Sequence, residues 1–306
     1  MAGRLGRHAG WARRDGLGRL VEEDQLDPIG RTVLAWRKAR WRRGHHVAPN
    51  AVPVFVVGVQ RSGTNMLVRG LERMPAFDVR NENDRSAFER FLLRDDGAIR
   101  EIVERSGHAY VLFKPLCDSH RVAHLLDHLG TPSPGRAIWA YRQVDGRVRS
   151  AVAKFGPEGL RAIREIAGGT RDVWQAGGLS DARLDELRRF DLDDMTPETA
   201  AALFWYLRNS LFFDLGLDRR DDVLPASYDR FVADPPGSMR AICSFVGFPY
   251  RDEMVAHVDA RSSTVRPVEI DPAVRQLCED LHDRLEAALN ASRARPAGGA
   301  APSSAA

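Results

Sequence analysis

Between Gly58 and Gly63 the chain reads Gly-Val-Gln-Arg-Ser-Gly, followed by Thr64 and Asn65. Two glycines at this spacing bracket a tight turn whose backbone N–H groups can converge on an anion. Arg61 places a cation inside the turn, and Ser62 and Thr64 add hydroxyl donors. A helix starting here contributes its unpaired N–H groups and the positive end of its dipole. The same glycine spacing opens the Walker pattern for ATP and GTP. That pattern requires Lys and then Ser or Thr after the second glycine, to reach the terminal phosphates and to ligate magnesium. Thr64 and Asn65 stand there instead, so the chemistry indicated is capture of a phosphate-like anion by backbone amides and Arg61.

The stretch VFVVGVQRSGTNML, Val54 to Leu67, resembles the 5′-phosphosulfate loop of the sulfotransferase family, which also places Lys or Arg inside the turn. A second stretch, IWAYRQVDGRVRS, resembles the family's 3′-phosphate motif, in which an Arg at a strand end is followed eight residues later by Ser. Arg142 and Ser150 meet that spacing. Lys154 lies one helical turn beyond Ser150 and matches a basic position of the tyrosylprotein sulfotransferase branch. In LPASYDRFVADPPGSMRAICSFVGFPY, Tyr228 falls where the family contacts adenine, and Asp229 replaces the usual Glu. DARSSTVRPV resembles the loop that closes over the nucleotide in the tyrosylprotein branch, with Ser262 and Arg266 on its Ser and Lys positions after one deletion. The Arg-Lys-Gly segment of the cytosolic small-molecule enzymes is absent. The resemblance runs from about Val54 to Val268.

The resemblance implies sulfuryl transfer from 3′-phosphoadenosine-5′-phosphosulfate to a hydroxyl or amine, with no metal required. The donor would be held by Arg61, Ser62, Gly63, Thr64, Asn65, Arg142, Ser150, Lys154, Tyr228 and Arg266. Lys114 matches a family lysine that neutralises the leaving phosphate, with Ser262 assisting. The family usually has Thr or Ser at Asn65, so altered donor affinity is expected. Cytosolic members carry Lys-Thr-His where this chain has Lys114-Pro115-Leu116, so their histidine base is missing. In the tyrosylprotein branch a glutamate after the first helix serves, and PAFDVRNENDR puts Glu82 near that position. Asp118 and His120 are alternatives, read more simply as surface groups of the next helix. Competing functions are a P-loop kinase using ATP and a catalytically silent nucleotide-binding interaction protein.

These residues need strands and helices to place them. Val54 to Val57 reads as a strand buried on both faces. Tyr110 to Phe113, Ala137 to Tyr141 and Val223 to Ser227 read as further strands. Helices are expected over residues 17–43, with Asp27-Pro28 as a start signal, and over 65–73, 88–105, 121–129, 199–214 and 271–289. Strands alternating with helices predict an α/β fold, a three-layer, P-loop-like parallel sheet flanked by helices, in one domain over residues 51–290. Residues 155–197 lack strand signals and read as a helical insert or lid over the acceptor.

At 306 residues, 43% hydrophobic and 28% charged, the chain has material for one large core. Residues 1–50 hold eleven Arg or Lys against five Asp or Glu, so a basic arm with a net +6 leaves −3 for the rest of a chain carrying +3. That balance excludes nucleic acid as an expected partner and leaves a membrane surface, a protein partner or simple solvation for the arm. No run reaches the roughly 18 apolar residues of a membrane span, and the first 30 residues lack the apolar segment of a secretory signal. Cys117, Cys243 and Cys278 have no metal-ligand spacing and form no even disulfide set. They read as small buried residues of a reducing, cytoplasmic compartment. The abundance of Ala, Arg, Gly and Asp suggests a bacterial, high-GC coding origin. The tail, 291–306, is low in complexity and expected to be disordered. The acceptor class stays open among small molecules, carbohydrates, lipids and peptides, and the oligomeric state is not indicated.

Overall fold

The computed structural model describes residues 28–45, 47, 49–260 and 266–294. The expectations for 1–27, for Ser262 and for the end of the tail therefore fall outside the described residues. Five parallel strands form the central sheet: β1 Val52–Gly58, β2 Phe77–Arg80, β5 Tyr110–Phe113, β6 Arg136–Tyr141 and β7 Val223–Ser227, in the spatial order β2-β5-β1-β6-β7. β3 Phe88–Glu89 and β4 Leu92–Leu93 form a separate antiparallel hairpin. The sheet is apolar on both faces because helices cover both. Along β1, Val54 and Val56 face one core, with Leu67, Leu71 and Met239. Phe55 and Val57 face the other, with Val148, Leu203, Trp205 and Leu281. Alternation along a single strand thus builds three layers around one sheet.

The sheet order reverses at β1. The chain first builds β2 and β5 on one side of it and then β6 and β7 on the other. A crevice therefore opens beyond the C-terminal end of β1, the place where open α/β sheets bind ligands. The helix Thr64–Glu72 runs back from that end, and Val144–Phe155 does the same after β6.

Two sequence expectations are corrected. Residues 88–105 do not form one helix. The β3–β4 hairpin takes the first part, and the helix Asp96–Glu104 starts only after Asp95, whose side chain accepts from the N–H of Ala98. The hairpin turn is made by Arg90 and Phe91 at φ 49° and 72°, the positive values a two-residue hairpin turn requires. β2 is an additional strand. Its Phe77 is buried, while the rest of this short edge strand is only half-buried. Residues 155–197 hold the helices Glu158–Ala167 and Asp181–Leu187, joined by turns and coil.

The basic N-terminal helix, Pro28–Gly44, is held by the bidentate Arg37–Glu253 pair and by Trp41, stacked on His45 and His108 at 4.2 and 5.9 Å. Arg40, Arg42 and Arg43 remain exposed. Among the described residues no helix is long and apolar enough to cross a membrane.

Candidate active site

Each parallel strand delivers a polar residue at or just past its C-terminal end: β1 the Gly58–Gly63 turn, β2 Glu82, β5 Lys114, β6 Arg142 and β7 Tyr228. The turn is shaped by close approaches. Gly58 has φ 123°, and a Cβ there would sit 2.1 Å from the carbonyl oxygen of Ala140 on β6. Its N–H donates to Ser119 Oγ (3.0 Å), which in turn donates to the Gly58 carbonyl (3.1 Å). Gly63 has φ 81°, and a Cβ there would meet the Tyr228 ring at 2.2 Å. Only glycine satisfies both conditions.

Between the glycines, Arg61 adopts φ 72°, a left-handed conformation costing a non-glycine residue on the order of 1 kcal/mol. Its Nε donates to Ser150 Oγ at 2.9 Å, joining the turn to the helix after β6. Ser62 is 2% exposed, and its Oγ has no hydrogen-bond partner among the described residues. A buried hydroxyl without a partner is costly. In the floor of an amide-rich turn, that hydroxyl fits a bound anion. Thr64, buried, opens the following helix, which has no side-chain cap on its first N–H groups.

Arg142 lies over the Tyr228 ring, with Cζ 4.2 Å from the centroid. The adjoining backbone is fixed by Asp229, whose carboxylate accepts from the N–H of Gln143 at 2.7 Å. Gly63 and Arg142 both pack on Tyr228, which ties the ends of β1, β6 and β7 together and leaves the tyrosine half-buried. Lys154 is exposed one turn beyond Ser150. Arg266 is exposed too, and its carbonyl accepts from Arg149 on the Ser150 helix, which brings the backbone at 266 to this side.

Across the crevice, Lys114 Nζ donates to Asn65 Oδ1 at 2.7 Å and lies 3.4 Å from Glu82 Oε2. Lys114 is 8% exposed. Burial pushes the Glu82 carboxyl above the ordinary carboxylate range, Lys114 opposes the rise and Asp118 adds to it. The half-buried Glu82 is not an exposed helix-flanking residue.

Asp118 and His120 are not surface groups. Asp118 is buried, its carboxylate accepts from the N–H of Leu93 at 2.6 Å, and burial raises its pKa. The His120 pKa falls to about 4 because of burial and the nearby Arg208 and Arg121 charges. Gly177 and Gly178 pack so closely on His120 that a Cβ on either would sit within 2.6 Å of it. The distant partners of both residues, hairpin and insert, explain why local sequence read them as exposed.

Two contributors went unread in the sequence. Ser119 clamps Gly58, and Arg147 reaches the carbonyl of Gln60 (3.3 Å) from the helix Val144–Phe155. Arg147 had a readable signal: it shares an inward helical face with Val144, Val148 and Ala151. A cleft of about 680 Å³ elsewhere, lined by Asp191, Glu198, Glu269 and Asp271 among others, holds none of these residues. Its carboxylates would repel a polyanion.

No family model and no curated protein matches the chain. Solved structures do, and those similar to it include sulfotransferases. A sulfotransferase from Alicyclobacillus acidocaldarius is 18% identical, with 80% of this chain and 95% of that one covered and a TM-score of 0.44. The sulfotransferase domain of the Synechococcus PCC 7002 olefin synthase is 16% identical, with 78% and 96% covered and a TM-score of 0.42. The sulfotransferase domain from the curacin biosynthetic pathway is 11% identical, with 78% and 99% covered and a TM-score of 0.42. At these identities and scores the likeness assigns no chemistry to individual residues.

Proposed function

We propose that the chain transfers a sulfuryl group from 3′-phosphoadenosine-5′-phosphosulfate to a hydroxyl or amine acceptor. The observation that carries this reading is that five parallel strands end at one edge of the sheet, where the Gly58–Gly63 turn and the Lys114–Glu82 pair both lie. The turn amides, Arg61, Ser62, Gly63, Thr64 and Asn65 would hold the 5′-phosphosulfate. Arg142, Ser150 and Lys154 would take the 3′-phosphate. Tyr228 would receive the adenine, and Arg266 and Ser262 would contribute to the donor site. Each charge-assisted hydrogen bond to the donor would contribute about 1.5–3 kcal/mol.

In the transfer, Glu82 would accept the acceptor's proton as its oxygen or nitrogen bonds to sulfur. The bond from sulfur to the 5′-phosphate oxygen breaks in line, and Lys114 neutralises the charge that grows on that oxygen. Lys114 already sits between Asn65 and Glu82, so it needs only to exchange a protein partner for the leaving oxygen. Glu82 must be ionised to act. Its raised pKa therefore sets an acid limb above the ordinary carboxylate range, and activity is lost as pH falls through it. The segment 155–197 would cover the acceptor, since its residues 174–178 already pack on His120 and Arg208. Small-molecule, carbohydrate, lipid and peptide acceptors all fit this scheme. The three buried free cysteines fit a cytoplasmic setting.

Radiolabelled donor offered to an acceptor panel tests the reading. Wild type should label at least one acceptor, and Glu82→Gln should lower turnover by about 10²–10⁴-fold. Unchanged turnover in Glu82→Gln would remove it as the base.

A further inference from the structure

Arg147 is a deeply buried cation behind the turn, 3% exposed on the inward face of the helix Val144–Phe155. Its hydrogen bonds go to carbonyl oxygens: Nη1 donates to Ala201 (2.7 Å) and Nε to Gln60 (3.3 Å). Arg208, equally buried, also donates to carbonyls, but the Asp118 carboxylate acts on it, and the less buried Arg183, Arg230 and Arg275 pair with carboxylates. Among the described residues no carboxylate pairs with Arg147, and the neighbouring charge is the like charge of Arg61. Burial lowers its pKa to about 9, which leaves it protonated at neutral pH. A buried cation is expensive unless an anion compensates it.

The contact with Gln60 also fixes the direction of a peptide plane. In a trans peptide the C=O and the following N–H point opposite ways. With the Gln60 carbonyl drawn to Arg147, the N–H of Arg61 points away from Arg147. The left-handed φ of Arg61 accompanies this orientation. Gln60 is held at its other end as well, since its Nε2 approaches Cys117 Sγ at 3.6 Å.

Resting on the phosphosulfate reading above, we propose that Arg147 is a positioning residue for the donor. It anchors the Gln60 carbonyl so that the Arg61 N–H faces the anion, and it supplies from behind the turn a charge that the bound anion compensates. The sulfotransferase resemblance in this stretch concerns Arg142 and Ser150 and does not involve Arg147.

The test is calorimetry on the full chain with adenosine 3′,5′-bisphosphate, on wild type, Arg147→Met and Arg147→Lys, with each unfolding temperature measured alongside. Arg147→Met should bind about tenfold weaker or worse, and Arg147→Lys should recover part of the loss. With substrate donor, KM should rise and kcat should hold, the signature of an interaction equal in ground and transition states. A folded Arg147→Met with wild-type affinity overturns the assignment. If Arg147→Met does not fold, Arg147→Lys decides alone: a loss of about threefold or more at unchanged unfolding temperature supports the role, and unchanged affinity overturns it. A wild type that ignores the bisphosphate would sink the phosphosulfate reading instead. Pyrophosphate then replaces it as the probe, because the peptide orientation serves any diphosphate, and equal pyrophosphate affinity in wild type and variants overturns the Arg147 assignment.

Discussion

On the turn side of the crevice, cations are held by neutral groups: Arg61 by the Ser150 hydroxyl, Arg142 by the Tyr228 ring and Arg147 by carbonyl oxygens. On the opposite side, Glu82 and Asp118 are titratable groups withdrawn from water, and burial raises the pKa of both. Lys114 bridges the two sides through Asn65 and Glu82. A cluster of arginines suits holding a polyanion. A carboxylate whose pKa burial raises suits moving a proton. On the proposed reading, binding would fall to one wall and chemistry to the other, with Lys114 as the residue shared between them.

Of the three changes that test this contrast, removing the shared residue should have the largest effect. Lys114→Ala should lower kcat by about 10²–10³-fold, while affinity for adenosine 3′,5′-bisphosphate changes far less. A variant that loses binding and turnover in parallel would move Lys114 onto the binding wall.

A smaller effect is expected on the turn side. Arg142→Ala should weaken adenosine 3′,5′-bisphosphate by about 10–100-fold, the equivalent of one charge-assisted bond. The acid limb set by Glu82 should stay where it is. Equal affinity in calorimetry would contradict the 3′-phosphate role, and a moved limb would blur the division between walls.

The smallest effect concerns stability on the opposite side. Histidine protonates near pH 6.5 when unfolded, whereas folded His120 does so only near 4. Below about pH 6.5 the unfolded chain takes the proton first, so stability should fall from there down to about pH 4. Chemical denaturation at several pH values, on wild type and His120→Asn, checks this. The variant should lose less stability between pH 7 and 5, and identical slopes would show that His120 is not held neutral.

The turn side was the more legible in sequence, because its determinants are local. Gly58, Arg61, Ser62 and Gly63 are near neighbours, and Arg142 and Ser150 share one strand–helix unit, so spacing carries the geometry. Tyr110–Phe113 and Val223–Ser227 were readable to the residue, since a strand buried on both faces is a continuous apolar run bounded by polar residues. The opposite side depends on contacts far apart in sequence. Asp118 looks exposed until the hairpin brings Leu93 over it, and His120 until Gly177 and Gly178 pack against it. The hairpin was hidden because Arg90 and Phe91 turn with positive φ and no Gly or Asn announces them. β2 was hidden because a short edge strand buries little beyond Phe77.

The most direct test of the phosphosulfate site is a thermal-shift comparison of adenosine 3′,5′-bisphosphate with ATP plus magnesium on the full chain. A ligand at about 100 times its Kd should stabilise the fold by roughly 2.7 kcal/mol. A rise in unfolding temperature with the bisphosphate and none with ATP plus magnesium is the predicted result. A rise with ATP plus magnesium alone, or with neither ligand, would contradict it.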